Sequence, residues 1–220
     1  MSLKFPNGAV FGISTAIAVA IAATAVSNAN PAVATVPTGS IDEGDVLVPL
    51  SDWVDANNTA VEAGAVTVGA SDTVKLLGFD STDVSAFEAG KANARLAVAS
   101  GFVDFSQQGD VSTSGGDQQF WTGQFLEAAR QISVPTVKNA KVFTIPLFFD
   151  PKLPWYAAAK SADRKREPLV LRCKLPDGDV IYRYGYLSFD ADPTTAANTP
   201  MGNTATFTAL GDSVLVEAAA

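Results

Sequence analysis

Along most of the chain the apolar positions recur every second residue, the period of a strand with one face turned to a core. From 13 to 22, Ile13, Thr15, Ile17, Val19 and Ile21 take the odd positions, and Ser14, Ala16, Ala18, Ala20 and Ala22 take the even ones. Large, mostly β-branched side chains on one face and small ones on the other predict a strand. The same run is uncharged from 8 to 26, follows Lys4 and contains Ala23-Thr24-Ala25, the outline of a secretory signal. A signal helix has no reason to alternate, so sheet is expected, with the chain kept from Met1, or from Ser2 after methionine removal.

Short β segments follow at 32–36, 46–50, 59–68 and 73–77, cut by Pro37, Gly39, Asn57-Asn58 and Ala70-Ser71-Asp72. Longer ones are predicted at 92–105, 118–126, 131–137 and 141–149. In 118–126, Phe120, Thr122, Gln124 and Leu126 alternate with Trp121, Gly123, Phe125 and Glu127, so both faces carry large groups. A strand apolar on both faces is normally covered on both, and what one chain cannot cover a partner must. Residues 169–175 and 180–189 flank Pro176-Asp177-Gly178-Asp179, where the proline presets φ and the glycine accepts a positive φ. A further strand pair is expected at 203–210 and 213–217, turning at Gly211-Asp212. One stretch reads as helix, 154–165: Pro154 suits a first turn, and Arg164, Lys165 and Arg166 suit the negative pole of the helix dipole. The sum is a mainly β protein, an antiparallel β-sandwich or barrel with one flanking α-helix at about 154–165.

The 220 residues are 47% hydrophobic and 17% charged, with a formal net charge of -8, enough apolar content for one domain with a real core. The charge is uneven. Residues 29–90 hold ten carboxylates against Lys75 alone, which leaves the remainder near neutral. That stretch reads as a small acidic β-module set between 1–28 and 91–220, the larger domain; a solvated face on one continuous domain explains the same charges.

Candidate chemistry is sparse. With no histidine, the commonest general base, every Ser-His or Cys-His pair and the usual zinc ligands are missing. The single cysteine, Cys173, sits among Leu169, Val170, Leu171 and Leu175 and reads as a small buried hydrophobe. Asp177 with Asp179, and Asp190 with Asp192, flank turns. Asp80-Ser81-Thr82-Asp83 lacks the spacing of a calcium loop, and Ser112-Thr113-Ser114-Gly115-Gly116-Asp117 lacks the GK[ST] of a phosphate cradle. No basic stripe with interleaved aromatics suggests nucleic-acid recognition. No catalytic residue, cofactor or metal site is expected. The polar, glycine-rich segment 106–118 reads as a loop that needs a neighbour to order it.

Several segments, in order along most of the chain, resemble the major tail protein, or tail tube protein, of long non-contractile-tailed bacteriophages. They are Asn7-Gly8-Ala9-Val10-Phe11-Gly12-Ile13-Ser14-Thr15-Ala16, Ser27-Asn28-Ala29-Asn30-Pro31-Ala32-Val33, Gly44-Asp45-Val46 with Ser51-Asp52-Trp53, and Leu77-Gly78-Phe79-Asp80-Ser81-Thr82-Asp83. Ser114-Gly115-Gly116-Asp117-Gln118-Gln119-Phe120-Trp121, Leu175-Pro176-Asp177-Gly178, Gly185-Tyr186-Leu187-Ser188, Pro193-Thr194 and Asn203-Thr204-Ala205-Thr206-Phe207 continue the likeness.

The resemblance implies a structural virion protein without enzymatic activity. It would be a β-sandwich flanked by a helix, assembled in the host cytoplasm as stacked hexameric rings that form the tail tube. Its partners would be itself, other tail proteins at the tube ends and double-stranded DNA in non-specific passage, with no membrane span. Gln107, Gln108, Gly109, Ser114, Gly115 and Gly116 become candidates for contact between rings. Because cationic walls would hold DNA at every phosphate they neutralise, an acidic or neutral lumen is expected, with Asp110, Asp117 and Glu127 as its candidate carboxylates. An exported adhesin or carbohydrate-binding β-module is the alternative.

Overall fold

The computed structural model describes residues 6–90, 93–127 and 129–218; Met1, Ser2, Lys4 and Ala92, named above, lie outside them. The first ten strands are β1 (Val10–Ile13), β2 (Ala16–Ile17), β3 (Ile21–Ala23), β4 (Ala25–Val26), β5 (Ala32–Val36), β6 (Val46–Ser51), β7 (Val61–Thr67), β8 (Asp72–Leu77), β9 (Ala94–Ser100) and β10 (Val103–Asp104). They are followed by β11 (Ser112–Ser114), β12 (Gln118–Gly123), β13 (Ile132–Lys138), β14 (Val142–Phe148), helix α1 (Pro154–Lys165), β15 (Leu169–Lys174), β16 (Val180–Ala196), β17 (Thr199–Ala209) and β18 (Val214–Val216).

Two eight-stranded sheets and one ribbon result. The first sheet runs β10-β1-β15-β16-β17-β14-β11 with β18 on β16, the second β2-β9-β6-β7-β8-β5-β4 with β3 on β9, and β12 pairs with β13 alone. All pairings are antiparallel. Both large sheets stay open, so the fold is the layered alternative and not a closed barrel.

Period-two sorting explains the layers. Odd-numbered residues of the first sheet, among them Ile13, Phe143, Ile145, Leu171, Leu187 and Phe207, are buried with Trp155 and Ala159 of α1. The Trp155 indole meets Phe105 and Phe189 edge-on. From the opposite face Val170 and Tyr182 join Leu47, Val48, Val61, Val74 and Leu76 of the second sheet in a separate core. The Tyr182 hydroxyl donates to Glu62 across that boundary at 2.6 Å, and burial together with this carboxylate pushes the phenol well above its usual range. The order is thus helix, first sheet, second sheet.

The N-terminal run does form sheet, though not one strand. At Ser14 the chain crosses between sheets: its backbone and hydroxyl bond Val170 while Thr15 already bonds Ser100. Between the pairs Ile17↔Ala99 and Ile21↔Leu96 the N-terminal segment gains one residue, a bulge. That extra residue turns Val19 out, 93% exposed, against the expectation of one continuous heavy face. At the other terminus β18 pairs with β16 (Val180↔Val216) and not with β17 as expected. After Ala209, opposite Gly185, the chain keeps to the same edge of β16, which would otherwise be left unpaired below Tyr184.

The helix spans the predicted residues and ends at Arg166, in left-handed conformation (φ 55°), whose N–H reaches the Ala162 carbonyl. The acidic stretch 29–90 supplies β5 to β8; the other strands of that sheet come from 16–26 and 94–100. Several of its carboxylates build turns: Asp72 accepts the Gly39 and Gly69 N–H groups, Asp80 the N–H and hydroxyl of Thr82, and Asp83 the N–H and hydroxyl of Ser85.

Candidate assembly surface

The ribbon of β12 and β13 lies outside both cores. Directly opposite residues share a face, so Trp121 with Val134 and Ile132 makes one apolar side, and Phe120 with Pro135 makes the other. The Trp121 ring lies over Gly123, where any Cβ would collide with it. Phe120, Trp121, Phe125, Val134 and Val137 are each about half exposed or more, and Leu126 at the far end is fully exposed. The expected strand with two large faces forms over 118–123 and stops at Gly123, short of the predicted 126, so that Phe125 and Leu126 follow it; among the described residues neither face is covered. Contiguous apolar surface of this kind marks an interface.

The arm leaves the first sheet at its β11–β14 edge. Ser114 pairs with Val142 in that sheet and Gln118 with Lys138 in the ribbon, and between them, across the neck, the Gly116 N–H bonds the Asn139 carbonyl and the Asn139 N–H bonds the Asp117 carbonyl. At the neck Gly115 and Gly116 both take positive φ, 77° and 83°, and a Cβ on Gly115 would strike the Ala140 carbonyl oxygen. Glycine is therefore dictated there twice, by conformation and by space.

The segment 106–118 is tied down more firmly than its composition suggests. Gln108 donates to the Ala9 carbonyl and accepts from Phe11 N–H, the Gly109 N–H bonds Pro146 O at 2.8 Å, and Phe148 N–H bonds Gln107 O at 3.0 Å. Residues 112–114 then form the edge strand β11. The reason is that β14 would otherwise expose an unpaired edge, which this backbone covers whatever its side chains.

Even-numbered residues of the first sheet's far half make a different surface. Ser112, Thr144, Thr206 and Ser188 stand in one row across four strands, and Ser114, Val142, Thr208 and Tyr186 in the next. Tyr186 and Ser188 are exposed, the threonines half-buried. These two rows are rich in hydroxyls and contain no charge.

Among the described residues no group of three or more His, Cys, Asp or Glu is arranged to hold a metal, and no helix is long and apolar enough to cross a membrane. Cys173 is buried, and burial raises its thiol pKa. What stands out is surface for contact. The sequence profile of the phage tail tube protein family, TTP, matches residues 51–218. The chain belongs to that family. No curated protein matches the chain.

Membership makes this a structural protein of the phage tail, one that assembles with copies of itself and with other tail proteins. The matched region of this tail tube protein includes the arm, its neck, the hydroxyl-bearing rows and α1. The candidate carboxylates do not form one cluster. Asp110 and Asp117 are exposed on either side of β11, whereas Glu127 is at the arm's far end, beyond a six-residue strand of roughly 20 Å. Sequence reasoning missed the hydroxyl rows. Their signal was present in Thr204-Ala205-Thr206-Phe207-Thr208-Ala209, a strict alternation of hydroxyl and buried apolar residues.

Proposed function

We propose that this chain assembles in the host cytoplasm as hexameric rings that stack into the tail tube, the conduit through which double-stranded DNA is ejected. The observation that carries the reading is the arm, apolar on both faces and left uncovered by its own chain. Burying such surface on another subunit is the strongest driving force available for polymerisation. Residues 114–116 form the start of the arm's neck, and 107–109 lie on the same edge at the opposite end of β14, against Pro146 and Phe148; exposed edge backbone at both places suits contact with a neighbouring ring.

The lumen wall is the hydroxyl-bearing face, with the free edges β10 and β11 joined between neighbours and Asp110 and Asp117 beside β11. A surface of this kind lets DNA pass, because no cation on it displaces phosphate counterions. The tube ends are closed by other tail proteins. Phage carrying Thr206→Lys with Ser188→Lys should form tails of normal length and eject DNA more slowly, the more so at low salt. Normal ejection kinetics from such tails would place the wall elsewhere.

A further inference from the structure

The end of the arm has a counterpart on the body of the chain. A groove of about 650 Å3 runs between the C-terminal half of α1 and the crossing from β1 to β2, floored by Ile17, Ala158, Ala162, Pro168 and Tyr184. Ala158 and Ala162 are one helical turn apart on the face beside the core residue Ala159, and their small side chains open the space. Lys165 and Glu167 stand exposed on the rim, and among the described residues neither forms an ion pair. The arm's end presents Phe125 and Leu126, followed by exposed Glu127 and Arg130.

We infer that the arm of one copy docks in this groove on a second copy, with Phe125 and Leu126 filling it, Glu127 against Lys165 and Arg130 against Glu167. The inference rests on the tail tube reading, since it requires a polymer. Size, charge and number commit the occupant. The volume suits two large side chains; each partner carries one acid and one base close together, in complementary order; and every chain carries both this arm and this groove. A head-to-tail contact of this type repeats through an assembly and leaves no arm uncovered. Apolar contact supplies the attraction, and the rim pairs set the orientation.

The test mixes two single variants, Leu126→Cys and Ala162→Cys, distinguished in mass by a tag, in assembled tubes under mild oxidation. Buried Cys173 does not compete for the engineered thiols. A disulfide joining the two variants is expected. A companion series exchanges charges: Lys165→Glu with Glu167→Lys should raise the critical concentration for assembly about tenfold. Adding Glu127→Lys and Arg130→Glu should return it to within about twofold of the unmodified protein. Tubes that form without the mixed disulfide, or a fourfold variant no better than the double, overturn the docking while leaving the tail tube reading intact. Unmodified protein that stays monomeric at all concentrations overturns both.

Discussion

Trp121 and Trp155 are chemically the same side chain in opposite situations, and the contrast separates assembly from folding. Trp121 is 54% exposed on the arm, whereas Trp155 is fully buried under the first sheet. A tryptophan offers at most ~250 Å2 of surface, so roughly 130 Å2 of Trp121 awaits a partner. At ~25 cal/mol per Å2 this is up to about 3 kcal/mol for each subunit added, roughly a hundredfold in the association constant. Trp121→Ser should therefore raise the critical concentration for tube formation by up to about that factor, read by pelleting across a dilution series. Its melting temperature as a monomer should hardly move, because the ribbon belongs to neither core. Trp155→Ala should do the reverse first, costing ~3–5 kcal/mol of folding stability by loss of buried contacts. If Trp121→Ser polymerised at the unmodified concentration, or melted as early as Trp155→Ala, the arm would not be an assembly element.

Two further outcomes follow from the turns. Gly178→Val puts a β-branched residue at φ 93° and its Cβ against that of Ala218, so a stability loss of about 1–2 kcal/mol or more is expected in urea titrations; full stability would refute the role of this hairpin turn. Acid should weaken the fold through depressed carboxyl groups. Asp72 is held below the ordinary aspartate range by the Gly39 and then the Gly69 N–H, Asp80 by Thr82 and Asp83 by Ser85; for Asp104, burial pushes upward but Arg172 and Lys174 outweigh it. The unfolded chain binds these protons first, so the stabilisation is complete above the normal aspartate value of ~3.9 and is lost as pH falls through the lower folded values. The urea midpoint should fall steadily from pH 5 to pH 2, and an unchanged midpoint over that range would remove these carboxylates from the account.

The β class, the helix at 154–165 and the turn at 176–179 were legible because each rests on local chemistry: period two, a first-turn proline, a glycine at positive φ. The arm was legible for a different reason. Phe120 and Trp121 on two faces of one strand conflict with a solvent-exposed ribbon, and a conflict of that kind points to function. Non-local pairing decided the rest. Val19 is exposed because the β9 partner is one residue short, β18 follows β16 because that edge is open, and 112–114 becomes a strand because β14 needs a neighbour. None of these depends on the residues' own preferences. The groove beside Ala158 and Ala162 was invisible for the same reason: it joins α1 to a sheet crossing far away in sequence.

Electron microscopy of the purified full-length protein, concentrated stepwise at neutral pH, tests self-assembly most directly. Six-fold rings that stack into hollow tubes are expected, with density for an arm reaching from each subunit onto a neighbour. A protein that stays a monodisperse monomer at every concentration, with its arm free in solution, would contradict the assembly reading outright.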